Sequence, residues 1–335
     1  LSRIVLLATG GTISSRENAA GGSRASDSAA QLLAALKHHA LADLISEIQV
    51  ETQDISVENS FNFSFSDLAR IDSAVREILQ RPEVDGVVVT HGTDTIEETL
   101  ALLALTHDDD RPVVFTGAQR SPDHPDSDGP RNLRDAILVA ADPASRFHGA
   151  LLCFGGEIHT ALPLRKAHAS ALQPFSHPSG GMLGRLTEAQ PQYYFGPRSL
   201  PRLPHPTQNF GDQRVDMVLS YPGADGALIR SAIASGAAGL IVLGGGAGNP
   251  GSALVEAIAE ATQAGVVVGL ASRTFGGSVA AIYSGGGAVD ALAAGAVALG
   301  DLPGTQARVL LALLLSTGAR EETKDRLERW VQTAR

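Results

Sequence analysis

Short apolar runs alternate with amphipathic segments of helical period along most of this chain, and that alternation constrains the fold more than any other feature. Arg3–Ala8 (RIVLLA) reads as a strand, Ser28–His38 as a helix, Ile48–Ile55 as a strand and Ser66–Leu79 as a serine-capped helix. Val84–Thr90 and Pro112–Thr116 are strand-like and Thr95–Thr106 is helical. A further helix opens near Pro130, and His148–Phe154 is a fifth strand. Strands joined through helices run parallel, since each crossover returns the chain to begin the next strand in the same direction. The strand runs are rich in Val, Leu and Ala and aromatics are only 4% of the chain, which suits strands buried on both faces. The expected class is α/β: a doubly wound, mostly parallel sheet with helices on both faces.

A length of 335 residues points to two domains. Glu188–Arg214 carries Pro191, Pro197, Pro201, Pro204 and Pro206 with almost no apolar period, and reads as a linker. Beyond it come strands at Val215–Ser220, Gly239–Leu243 and Val266–Leu270, helices at Ala224–Ala234 and Ser252–Ala264, and a charged amphipathic tail helix, Glu321–Thr333. The expected layout is a larger α/β domain over residues 1–190, a linker over 191–214 and a smaller α/β domain with its own parallel sheet over 215–335.

Charge and composition remove several functions. A formal net charge of −10 repels phosphate backbones, so nucleic acid is not an expected partner. No apolar stretch approaches the ~20 residues of a membrane span. No signal-peptide pattern is visible, so a cytoplasmic location is expected, with a periplasmic one left open because the chain begins at Leu1. The lone cysteine, Cys153, lies in an apolar run and reads as a small buried hydrophobe. The histidines show no metal-ligand spacing, there is no paired-cysteine motif, and no metal or cofactor is expected. Gly246–Gly251 fits G-x-G-x-x-G after a strand. Pro250 stiffens that turn and no ribose-binding carboxylate follows, so a nicotinamide site is disfavoured.

Open parallel sheets bind ligands beyond the carboxyl ends of their strands. The residues following the first four strands are Thr9-Gly10-Gly11-Thr12, Thr52-Gln53-Asp54, His91-Gly92-Thr93-Asp94-Thr95 and Thr116-Gly117-Ala118-Gln119. Hydroxyls, amides and one carboxylate on glycine-rich turns suit a small polar ligand. Gly10 and Gly11 permit a sharp turn and a close backbone approach, with Thr12 at its end. Asp94 fits either a helix cap or an acceptor for a substrate ammonium. Lys166 gains meaning only beside Thr93 and Asp94, where it could move protons to a hydroxyl.

Together these motifs resemble the bacterial asparaginase family with an N-terminal TGGTI and a central HGTDT. The match comprises Leu7–Ile13, Thr52–Asp54, Thr90–Thr99, Pro112–Ala118, Asp128–Leu133, Lys166, Gly244–Asn249 and Ala307–Leu314. The resemblance implies hydrolysis of the side-chain amide of L-asparagine, or of L-glutamine, through an acyl-threonine; the alternative is a catalytically weakened family member that binds amino acids. It implies Thr12 as nucleophile, with Thr93, Asp94 and Lys166 as its catalytic partners. Gly11, Thr52, Gln53, Gly92 and Ala118 would hold substrate. The assembly implied is a homotetramer of close dimers in which Asn249 of a neighbouring subunit completes the site. Two departures stand out. The loop Ser14–Asp27 lacks the tyrosine common in the family, with Arg24 near its place. Phe275–Gly287 lacks the partner carboxylate, with Tyr283 or Ser284 there instead. That loop, with its small-residue clusters, is also the expected lid.

Overall fold

The first unit is organised on β1 (Arg3–Gly10), β2 (Gln49–Glu58), β3 (Gly86–Thr90), β4 (Val113–Thr116) and β5 (Ala150–Phe154), all parallel. The computed structural model of the chain describes residues 1–17, 21–39, 41–198 and 200–334. It divides into two compact units, Leu1–Ser176 with Gly181–Ser199, and His177–Gly180 with Leu200–Arg335. Three antiparallel strands extend the first sheet: β6 (Glu157–Thr160), β7 (Gly184–Thr187) and β8 (Gln190–Tyr193). The order across it is β8-β7-β6-β5-β4-β3-β1-β2. The chain leaves β1 for β2 on one side and resumes at β3 on the other, so β1 and β3 flank the point where the order reverses. An open α/β sheet has its binding crevice there.

Helices cover both faces. Ile4, Leu6, Ala8, Val88, Val114 and Leu151 pack against α1 (Ala29–Lys37) and α4 (Gly129–Ala141), in a cluster that includes Cys153. The alternate residues Val5, Leu7, Val87, Val89 and Phe115 are equally buried on the opposite face, where α2 (Phe65–Leu79) and α3 (Ile96–Thr106) pack together. Ser28 with Gln31 and Ser64 with Asp67 form reciprocal capping boxes that start α1 and α2.

Two features depart from the sequence expectation. β2 does not stop at Ile55. It pairs along β1 as far as Glu58 opposite Gly10, because the alternation of Ile55, Ser56, Val57 and Glu58 continues the strand. The antiparallel extension was not expected, and β8 reaches Tyr193, inside the stretch expected to be linker. Gly155 and Gly156, both at positive φ, close the β5–β6 hairpin, but Glu188 and Ala189 make the β7–β8 turn at φ 49° and 64° without a glycine to signal it. Pro191 is tolerated because β8 is the sheet edge.

The second unit has four parallel strands in sequential order: β9 (Val215–Leu219), β10 (Gly239–Gly244), β11 (Val267–Ser272) and β12 (Val297–Ala298). Helices α5 (Ala227–Ala234), α6 (Ser252–Gln263) and α7 (Ala288–Ala293) share a core with Val218, Leu240, Val242, Val268 and Leu270. The nearly wholly buried α8 (Gly304–Ser316) lies close against the sheet, where Gly239 meets Leu311. The terminal α9 (Thr323–Thr333) fastens part of the proline-rich stretch, Trp330 Nε1 donating to Pro201 O at 2.9 Å. In the glycine turn after β10, the N–H groups of Gly248 and Asn249 both donate to Gly245 O. Donors that would cradle a dinucleotide phosphate are thus already engaged.

Buried Asn132 on α4 ties two strand ends of the first unit together. Its Nδ2 donates to Gly117 O at 3.0 Å and to Asp128 Oδ2 at 3.1 Å, and its Oδ1 accepts from Gly155 N at 3.1 Å. An Asn132→Ala variant takes the partners from Gly117 O and Gly155 N and is expected to lose about 2–4 kcal/mol of stability in urea unfolding.

Candidate active site

Glycine backbones in mutual contact form the floor of the crevice. A Cβ on Gly11 would lie 2.5 Å from both Cα and N of Gly92, and Gly11 has φ 86°, so only glycine fits. A Cβ on Gly92 would meet Ser60 Oγ at 2.5 Å, and one on Gly117 would meet His91 O at 2.5 Å. Gly11 N donates to Glu58 O at 3.0 Å. The turns ending β1, β2, β3 and β4 therefore abut, and Thr12 and Thr93 each follow one of the touching glycines.

Thr93 is buried and Asp94 exposed on the turn leading into α3. Lys166 Nζ donates to Thr93 Oγ1 at 2.8 Å and to Asp94 Oδ1 at 2.7 Å. The lysine side chain is only 15% exposed. Its backbone N–H donates to Glu97 Oε2 at 2.7 Å, which holds the short strand Arg165–Lys166 against the first turn of α3. The adjacent hydroxyl and carboxylate of Thr93 and Asp94 thus share one cluster with an ammonium 73 and 72 residues further along the chain.

Thr12 opens a short 3-10 turn, Thr12–Ser14, held by Ser14 and Ser15, whose hydroxyls donate to Gly11 O. Thr12 is half-buried, and its hydroxyl has no partner among the described residues. A hairpin, Ser15–Glu17 with Ser23–Ala25, follows. Arg16 binds Asp27 and Asp123, each at 2.7 Å, which raises its pKa and lowers that of Asp123. Arg24 pairs opposite Arg16 and is exposed. Asn18–Ala20 of the expected lid lie outside the described residues.

The remaining expected site residues distribute unevenly. Ala118 is buried at the end of β4, and neither its N–H nor that of Thr93 has an acceptor among the described residues. Thr52 and Gln53 are not brought to the crevice. They pair with Leu6 and Leu7 in the middle of β1, because β2 runs on past them. The residue that does reach it is Ser60, buried against Gly92 and joined to Thr95 Oγ1 through its carbonyl at 2.9 Å. Sequence reasoning missed Ser60; continued alternation through Glu58 was the signal. Asn249 and Tyr283 belong to the second unit, where they line a hollow of about 630 Å³ with Ser220, Tyr221 and Arg273. There Asn249 Oδ1 accepts from Ala288 N at 3.1 Å.

Comparison with known proteins places the chain. The model of the asparaginase N-terminal domain matches residues 3–198, and that of the glutaminase/asparaginase C-terminal domain matches residues 214–327. The chain belongs to the asparaginase family. It is 33% identical over 325 residues to an L-asparaginase of Bacillus licheniformis, covering 97% of this chain and 98% of that one. It is 31% identical to a probable periplasmic L-asparaginase of Haemophilus influenzae, over 97% and 90% of the two chains. The solved structure of a probable cytoplasmic L-asparaginase from Campylobacter jejuni superposes with TM-score 0.82 at 27% identity, over 99% of this chain and 100% of that one. Among the described residues of this asparaginase-family chain, no helix is long and apolar enough to cross a membrane.

Beneath the asparaginase-family HGTDT turn, His91 is wholly buried. Its Nδ1–H donates to Gly92 O at 2.8 Å, and its Nε2 accepts from Thr99 Oγ1 at 2.9 Å. Burial lowers its pKa to about 4. The unfolded chain binds a proton here below pH 6.5 and the folded one resists it until about 4, so His91's contribution is full above 6.5 and lost as pH falls toward 4. Urea titrations across that window should show a decline of roughly 3 kcal/mol from this group, flattened in His91→Gln. Gly11→Ala should lower stability by at least roughly 1–3 kcal/mol from backbone strain alone, read as a drop in melting temperature.

Proposed function

We propose that the chain hydrolyses the side-chain amide of L-asparagine to L-aspartate and ammonia. What carries the proposal is the Thr93–Lys166–Asp94 cluster beside the glycine turn that presents Thr12, in a chain of the asparaginase family. Thr12 Oγ attacks the amide carbon, its proton passes to the departing nitrogen, and ammonia leaves. Water then adds to the acyl-threonine, returning the proton to Thr12 and releasing the acid. Thr93, Lys166 and Asp94 handle these protons. The open N–H groups of Thr93 and Ala118 are suited to stabilise the oxyanion, each worth about 10²–10³ in rate. Asp94, exposed beside Lys166, accepts hydrogen bonds from the substrate ammonium. No cofactor enters this scheme.

Glutamine differs from asparagine by one methylene, worth only about 1–3 kcal/mol of discrimination. The same proposal includes a homotetramer in which Asn249 and Tyr283 face a neighbour's site, and a cytoplasmic location. Ammonia release from asparagine, glutamine and buffer alone tests the reading. Turnover of asparagine above glutamine is expected, and turnover of neither amide defeats it. Thr12→Ala should lower kcat on the order of 10³-fold or more with folding retained by circular dichroism.

A further inference from the structure

Resting on the reading above, we propose that Gln119 is a positioning residue that fixes the rotation of the Thr93 hydroxyl and presents its oxygen to the reacting atoms as a hydrogen-bond acceptor. Gln119 Nε2 lies 2.9 Å from Ala171 O and 3.5 Å from Ala169 O. Carbonyl oxygens only accept, so the NH2 end of the amide must face them, and Oε1 must face Thr93. Thr93 Oγ1 lies 3.3 Å from Gln119 Oε1. That oxygen also only accepts, so the threonine proton points to it. The Lys166 ammonium, 2.8 Å from Thr93 Oγ1, only donates, so it occupies one lone pair. A hydroxyl oxygen has two lone pairs. The second has no partner among the described residues, and it is the one that an attacking hydroxyl or water can use.

Gln119 is itself held firmly enough to impose this orientation. Its backbone N–H donates to both Asp128 oxygens, at 3.1 and 3.0 Å, and Asp128 also accepts from Arg120 N at 2.9 Å. Buried Asn132 braces Asp128 in turn. The acceptor Ala171 stands in the segment just after Lys166, where the His168 ring nitrogen Nδ1 accepts from Ser170 N and Ala171 N. Gln119 therefore spans from the hydroxyl to the segment that carries the lysine. Without it, the Thr93 proton is free to rotate onto the lone-pair direction that the reaction needs.

Steady-state kinetics with asparagine on the full chain test the assignment, using Gln119→Met and Gln119→Glu. The methionine keeps the length and loses both hydrogen bonds. We expect kcat to fall roughly tenfold or more with KM within about twofold, since orientation of a reacting group weighs on the chemical step. The glutamate has an acceptor facing Thr93 and no donor for Ala171 O until it takes up a proton. Its kcat relative to wild type is expected to climb as pH falls, because a protonated carboxyl, like an amide, offers one acceptor and one donor. A Met variant with kcat within twofold of wild type, or with its loss confined to KM, overturns the inference, as does a Glu variant whose ratio to wild type ignores pH. If the Met variant does not fold, the Glu profile decides alone. Wild type without turnover removes the proposed function and this inference together; active wild type with an unchanged Met variant removes the inference only.

Discussion

Everything in the crevice depends on backbones that touch because they carry no side chains. Gly11 against Gly92, Gly92 against Ser60 and Gly117 against the His91 carbonyl bring four strand ends within van der Waals contact. Hydroxyl-bearing residues set one position beyond such contacts converge without long side chains reaching across. The energetic consequence is rigidity: each glycine is locked by the next strand, and a methyl group at any of them collides with main chain or with buried Ser60. The neighbouring Thr9 hydroxyl, donating to Thr90 O at 2.9 Å, adds a polar tie between β1 and β3 at the same level.

Much of this was legible in the sequence, and the reasons it was legible are physical. The alternation of periods and the glycine-flanked hydroxyls at Thr9–Thr12 and His91–Thr95 fixed which strands end at the crevice. The expectation that Lys166 matters only beside Thr93 and Asp94 corresponds to two hydrogen bonds of 2.8 and 2.7 Å. Strand length was harder to read. β2 is an edge strand whose burial is weak along its whole length, so polar Thr52-Gln53-Asp54 looked like a strand end when it was a strand middle. The β7–β8 hairpin escaped because its turn uses Glu188 and Ala189 at positive φ, where composition carries no sign of a turn.

Hydrogen-bond direction was not legible at all. Gln119, Asp128 and Asn132 are ordinary polar letters in the sequence. Their interest lies in who donates to whom, and that depends on loops which meet only after the sheet is assembled. The same holds for His91. In the sequence it heads the HGTDT motif. In the fold it is a neutral ring pressed beneath the motif, with Phe63 edge-on at 5.1 Å and both nitrogens engaged.

Lys166 is attached at both ends to one short stretch of chain: its backbone amide to Glu97 and its ammonium to Thr93 and Asp94. A side chain anchored in this way has no lever arm. Drift of the strand that carries it, relative to the sheet, does not translate into drift between ammonium and hydroxyl, since both ends follow the first turn of α3. The distance between ammonium and hydroxyl is thereby set by one turn of chain and not by the path of the strand that supplies the lysine.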